Sequence, residues 1–351
     1  MLLARRLLVL LLAAAVPALP QTAKSKPVVW ILSTGGTIAS QGASSTSLTD
    51  YKAGVLTGRD LVKAVPEIAE VADVKVEQIA NVGSPNITIA HWLTLATRIN
   101  RIFTEEPATA GIVITHGTNT LEETAYFLNL TVKHDRPVVL VGSMRPATAI
   151  SADGPLNLLN AVRTAVSPAA RGKGVLVVLN DEISAARDVT KTNTLRVETF
   201  RSPDSGYLGF VDGDQITFYR SPTRRHTTAS EFDVQGLTQL PAVEILYSYV
   251  QPSPILIQAL LANGVKGIVM AGTGAGLVSD VEKAALAKAK GPVIVRSNRT
   301  GSGRVPPRQE YDSSGMIGAD NLNPQKARIL LMLALTKTTD LGEIRRMFAE
   351  Y

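Results

Sequence analysis

The 351-residue sequence predicts an α/β protein with two domains: a larger, mostly parallel sheet sandwiched by helices, then a smaller parallel α/β domain. Two patterns and the length carry this reading. Short β-branched apolar runs recur and stop at glycine or polar residues, and continuous apolar strands are those buried on both faces. Helix-patterned segments lie between them, as the crossovers of a parallel sheet require. At roughly 150 residues per domain the chain is long enough for about two.

The first element is an address label. Arg5 and Arg6 precede an apolar run, Leu7 to Val16, that is too short to span a ~30 Å hydrocarbon core. Val16-Pro17-Ala18 offers small residues at the cleavage position. Residues 1–24 are therefore expected to be a cleaved signal peptide, with a periplasmic or secreted destination and no stable membrane insertion. Strands are expected at Val28–Leu32, Gly111–Thr115, Pro137–Val141 and Val175–Leu179, with helices at Trp92–Phe103, Leu121–Val132 and Leu156–Val166. Together these make a catalytic N-terminal domain over 25–219. A stretch rich in charge and turn residues, 220–241, reads as a linker. Alternation resumes in a C-terminal domain, 242–351, with strands at Val243–Tyr247, Gly267–Ala271 and Val293–Ser297 and helices at Ile255–Ala262, Val281–Ala289 and Pro324–Leu335.

Composition removes several chemistries. The chain has no Cys, which excludes disulfides, thiolate metal sites and a cysteine nucleophile. Its four His are scattered and form no paired metal motif. The net charge of +6 is modest and partly lies in the leader, and aromatic content is only 5%, so no nucleic-acid partner is expected. Gly272-x-Gly274-x-Gly276 has the wrong spacing for a dinucleotide fingerprint.

In an open α/β sheet ligands sit beyond the carboxyl ends of the strands. Two threonine loops stand there. In Ser33-Thr34-Gly35-Gly36-Thr37-Ile38-Ala39 the paired glycines permit a tight turn and close approach to a ligand. In His116-Gly117-Thr118-Asn119-Thr120, Thr120-x-x-Glu123 fits a capping box that starts a helix, so Thr120 reads as a cap. Free N–H groups at that helix start are suited to an oxyanion. A threonine hydroxyl needs a base, and a lysine serves if desolvated. Lys191, in the polar stretch 187–194 after the fourth strand, is the candidate; lone His116 reads as structural.

As a set these motifs resemble the bacterial type II L-asparaginases of the asparaginase/glutaminase family. The matching stretches are Thr34–Ala39, Ile114–Thr118, Glu122–Leu128, Met144-Arg145-Pro146 through Asp153-Gly154-Pro155, Asp188–Asn193 and Leu322-Asn323-Pro324, in order and spanning nearly all of 27–351. The resemblance implies an amidohydrolase that releases ammonia from L-asparagine, with some activity on L-glutamine. It implies Thr37 as nucleophile of an acyl-enzyme, Thr118 and Lys191 as a second catalytic pair, and Tyr51 closing over the site. Gly36, Gly117 and Ser84 would bind substrate, Ser84 through the α-carboxylate, and Glu310 would be lent by a neighbouring subunit. It further implies a homotetramer that uses no metal and no cofactor. Three positions depart from the family: Asn119 replaces an Asp that holds the substrate's α-ammonium, Pro85 replaces Gln or Glu, and Ala275 replaces Asn. Asn cannot neutralise an ammonium, so weakened or altered α-ammonium recognition is expected; the alternative is a catalytically impaired amino-acid sensor on the same scaffold.

Overall fold

The structure, a computed structural model, describes residues 25–288 and 291–351. The leader lies outside the described residues, as does Ala289 at the end of one expected helix.

The N-terminal part opens with β1 (Val28–Gly35), a short ribbon of β2 (Gln41–Gly42) and β3 (Tyr51–Lys52), helices α1 (Gly58–Lys63) and α2 (Ile68–Val71), and β4 (Asp73–Val82). It continues through α3 (Ile89–Glu105), β5 (Thr109–Thr115), α4 (Leu121–Thr131), β6 (Val138–Val141), α5 (Gly154–Val166), β7 (Val175–Leu179) and β8 (Glu182–Ala185). A second ribbon, β9 (Thr190–Lys191) with β10 (Phe200–Arg201), precedes β11 (Gly209–Asp212) and β12 (Gln215–Phe218). Eight of these strands form one sheet in the order β12-β11-β8-β7-β6-β5-β1-β4. The pairs from β4 through β7 are parallel and the β7, β8, β11 and β12 pairs are antiparallel, so the sheet is mixed, with its parallel part where the apolar runs predicted it.

Side chains alternate across this sheet as strand geometry demands. Ile112 and Ile114 face one layer with α3 and α4, whereas Val113 faces the other with α5. All are fully buried. The second sheet is parallel throughout: β13 (Val243–Tyr247), β14 (Gly267–Gly272), β15 (Val293–Asn298) and β16 (Ile317–Gly318) in chain order. Helices α6 (Ile255–Ala262), α7 (Asp280–Leu286), α8 (Gln309–Asp312), α9 (Pro324–Leu335) and α10 (Leu341–Glu350) complete it. Helix α9 is buried on nearly every side, packing on β13, β14 and β15 and on α4 of the larger sheet. The α3/α4 core layer therefore runs without a break into the second sheet, from Phe127 and Tyr126 to Leu330, Val269 and Val295.

The segment 220–241 contains no strand or α-helix, only a 3-10 turn at Thr227–Ala229. It is not a loose tether. Phe232 and Val234 are buried in the shared core, and Arg224 and Arg225 pair with Asp320 and Glu350 at 2.8 and 2.6 Å. The Gly272–Gly276 stretch closes on itself, with Thr273 and Leu277 exchanging backbone hydrogen bonds at 2.9 and 2.8 Å, and it does not open a helix.

Candidate active site

The two threonine loops meet because neither carries a side chain at the contact. β1 ends at Gly35, and Gly35 and the following Gly36 have φ of +97° and +87°, which side-chain-bearing residues rarely adopt. A Cβ on Gly36 would lie 2.2 Å from the Gly117 Cα, so the glycine backbones touch. The strand ends are then bolted together: Gly36 N–H donates to the Val82 carbonyl at 3.0 Å, Thr34 Oγ1 to the Thr115 carbonyl at 2.9 Å, and Thr115 Oγ1 to Ser33 Oγ at 2.9 Å. Thr37 and Thr118, each next in sequence after its touching glycine, are both buried.

Beneath this contact His116 is fully buried and its pKa falls to about 4 because burial disfavours the imidazolium. Its ring is neutral, and the partners fix the tautomer. Trp92 Nε1 donates to Thr124 Oγ1 at 2.8 Å, so the Thr124 hydroxyl donates to His116 Nε2 at 2.9 Å, leaving Nδ1–H for the Gly117 carbonyl at 2.8 Å. This buried chain holds the second loop from below, the structural part that the sequence reading gave His116.

Two pairs of reactive groups result. Thr37 Oγ1 and the Tyr51 hydroxyl are 3.0 Å apart, Tyr51 being carried by the β2–β3 ribbon. Lys191 Nζ donates to Thr118 Oγ1 at 2.9 Å and to Asn119 Oδ1 at 2.8 Å. Both acceptors are neutral. Burial pulls the Lys191 pKa below the usual lysine range, and Glu122 opposes that only partly. The Glu122 carboxylate lies against the Lys191 backbone instead, accepting its N–H at 2.7 Å.

Ser84 is buried beside the second loop and its Oγ accepts the Asn119 N–H at 3.1 Å. Thr120 departs from its expected role. α4 does begin after it, but its hydroxyl makes no cap and donates to the Ser84 carbonyl at 2.8 Å. Ser84 sits 36 residues away in sequence, a competitor that the local capping pattern cannot reveal. Pro85 is exposed in the 3-10 turn Ser84–Asn86, and Asn119 is exposed at the lip. Glu310 is not brought to this cluster. It lies on α8, exposed and ion-paired to Lys283 of α7. Ala275 is likewise exposed, in the closed turn after β14.

Sequence reasoning assigned no role to the buried support of Lys191. Glu122 Oε1 accepts from Gln325 Nε2 and, at 3.3 Å, from Asn323 Nδ2. Lys326 Nζ, fully buried, donates to the carbonyls of Arg187, at 2.8 Å, and Val189. The segment leading to Lys191 is thus gripped by the N-terminus of α9. The only sequence signals were a Glu and a Lys inside otherwise apolar helix faces. Among the described residues no three His, Asp or Glu side chains converge to hold a metal.

Residues 28–224 match the family described as "Asparaginase, N-terminal", and residues 242–348 match "Glutaminase/Asparaginase C-terminal domain". The chain belongs to the asparaginase family. It is 54% identical over 330 residues to L-asparaginase 2 of Bacillus subtilis (strain 168), covering 93% of this chain and 88% of that protein. It is 47% identical over 328 residues to the glutaminase-asparaginase of Pseudomonas fluorescens biotype A, covering 92% of this chain and 90% of the relative. The crystal structure of a probable cytoplasmic L-asparaginase from Campylobacter jejuni superposes with a TM-score of 0.91 at 50% identity, covering 93% of this chain and all of that one. The two-domain asparaginase fold expected from the motifs is the fold observed.

Proposed function

We propose that this chain is an L-asparaginase, hydrolysing L-asparagine and water to L-aspartate and ammonia, with L-glutamine as a further substrate. The observation that carries the reading is the pairing of two threonine hydroxyls at one glycine–glycine contact, one against a tyrosine and one against a desolvated lysine. Thr37 Oγ1 attacks the side-chain amide carbon, the C–N bond breaks, and ammonia leaves with the proton delivered to it. Water then attacks the acyl-enzyme and Thr37 recovers its proton. Tyr51, within hydrogen-bond reach of Thr37, relays that proton. Lys191, whose lowered pKa leaves more of it as free amine near neutral pH, accepts a proton through Thr118. Backbone N–H groups at the start of α4 stabilise the charge that develops on the carbonyl oxygen. Ser84 receives the substrate's α-carboxylate, and Gly36, Gly117, Asn119 and Pro85 form the surrounding wall. With Asn119 neutral, the free α-ammonium has a weaker anchor than in relatives with Asp.

The working molecule in this reading is a secreted or periplasmic homotetramer in which Glu310 of a neighbouring subunit completes the site. The leader-like residues 1–24 support export. Exposed apolar residues after β13, Val250 in the loop and Ile255 at the start of α6, support association.

The deciding experiment measures ammonia release from L-asparagine, L-glutamine and N-acetyl-L-asparagine, with Thr37→Ala as control. Release from L-asparagine that the substitution abolishes is the expected result. Release favouring the acetylated amide would redirect the same chemistry to N-blocked substrates, and no release from any of the three would refute an enzymatic role.

A further inference from the structure

Residues Gln41–Lys52 form the arm that carries Tyr51, and none of them is buried. Strands β2 and β3 contribute only two residues each. A two-stranded ribbon with no buried face is marginally stable in water at best. Its placement over Thr37 therefore depends on what it leans against.

It leans on Arg145–Ile150, the segment between β6 and α5. Among the described residues three hydrogen bonds join the two. Ala147 N–H donates to the Ser40 carbonyl at 3.0 Å and Ile150 N–H to the Ser45 carbonyl at 2.9 Å. The third uses a side chain: Thr148 Oγ1 accepts the Gly42 N–H at 2.9 Å. The ribbon register sets Gly42 directly opposite Tyr51. Thr148 thus holds the strand partner of the tyrosine whose hydroxyl meets Thr37 Oγ1 at 3.0 Å. The supporting segment is itself well anchored. The Asp153 carboxylate accepts the N–H groups of Met144 and Arg145, both at 2.9 Å, and Ser143 Oγ donates to the Arg145 carbonyl at 2.7 Å. Ala149 N–H closes a turn on the Pro146 carbonyl at 2.9 Å, and both of these residues are buried.

We propose that Arg145–Ile150 is a dock that sets Tyr51 over Thr37, with Thr148 as its positioning residue. This rests on the proton relay assigned to Tyr51. Thr148 acts through the ribbon and takes no part in the chemistry. When the ribbon leaves the dock the phenol leaves Thr37, so kcat follows the docked fraction. With no buried residue in the ribbon, docked and undocked forms lie close in free energy. One neutral hydrogen bond then shifts their balance about 3- to 10-fold.

Saturation kinetics of ammonia release from L-asparagine by the full chain test this. Thr148→Val keeps nearly the same shape, loses the acceptor and, at an exposed position, opens no cavity. It should lower kcat about 3- to 10-fold with KM little changed, and Thr148→Ser, which keeps the acceptor, should restore kcat. In a Tyr51→Phe background Thr148→Val should have no further effect, because nothing is left to position. Amide hydrogen exchange should quicken over residues 41–52 alone. An undiminished kcat in Thr148→Val, an equal fall in Thr148→Ser, or the same fall on top of Tyr51→Phe would overturn the dock and leave the relay standing. A Tyr51→Phe chain with undiminished kcat would overturn the relay, and the role of Thr148 with it.

Discussion

Replacing Asn119 by Asp places a carboxylate where Lys191 Nζ now meets a neutral amide oxygen at 2.8 Å. The Coulomb attraction at that separation is ~1.5 kcal/mol in a water-like dielectric and ~6 kcal/mol at an effective constant near 20. Asn119 is exposed, so the solvent-screened value governs. At 1.36 kcal/mol per pKa unit the lysine should bind its proton about one unit more tightly. If Lys191 acts as the free amine, the acid limb of the kcat/KM profile must move about one pH unit upward. The same carboxylate offers an anchor to a free α-ammonium. At pH values above the limb, kcat/KM for L-asparagine should rise at least about tenfold, less than the ~30-fold that the low end of ~2 kcal/mol for a buried charge pair would give, because residue 119 is exposed. N-acetyl-L-asparagine, which has no ammonium, should show the shifted limb and no gain. Initial rates of ammonia release from both substrates between pH 5 and 10 separate the two effects. An acid limb that stays in place would refute Lys191 as the titrating group beside residue 119. An equal gain on both substrates would refute the ammonium argument.

Tyr51→Phe removes the only side-chain hydrogen-bond partner of Thr37 among the described residues and should lower kcat by about 10²–10⁴ with KM little changed, as read from saturation kinetics. Glu123 is held in a mostly apolar setting beside Glu122, which pushes its pKa up to about 7. The folded state thus binds an extra proton between the unfolded value of 4.5 and about 7, and stability falls as pH rises through that window. Glu123→Gln should therefore raise unfolding free energy at pH 8 by ~1–3 kcal/mol and leave it unchanged at pH 4, by denaturant titration. Lys326→Met strands the carbonyls of Arg187 and Val189 and should cost ~1–3 kcal/mol for each. It should also depress kcat more than KM, through Lys191, whereas an unchanged kcat would show that the clamp is structural only.

The central strands were legible because each is a continuous apolar run, and β1, β5, β6 and β7 stand side by side. The edges were not. β4 alternates with Lys75 and Glu77 toward solvent, and β8, β11 and β12 are four-residue strands with too little pattern to separate from turns. Helix α10 carried a readable stripe of Ile344, Met347 and Phe348, overlooked amid its charges. At the site, the glycine loops announced themselves locally because a tight turn needs glycine wherever it occurs. Glu122, Lys326 and the diverted Thr120 could not, since each is defined by a partner 36 or more residues away. Burial of a charge is a property of the fold, and the linear pattern around it reads only as an imperfection in an apolar face.

Helix α9 has one further consequence. It belongs by sequence to the second domain, yet it fills the core beneath α4 and grips the segment that ends in Lys191. The two sheets are therefore not modules that evolution or an engineer can exchange freely. A hybrid that joins the first 241 residues to a foreign second half would inherit a mismatched core and a displaced lysine together. Heating the native chain should give one cooperative transition, since the core layer around α3, α4 and α9 is shared by both halves.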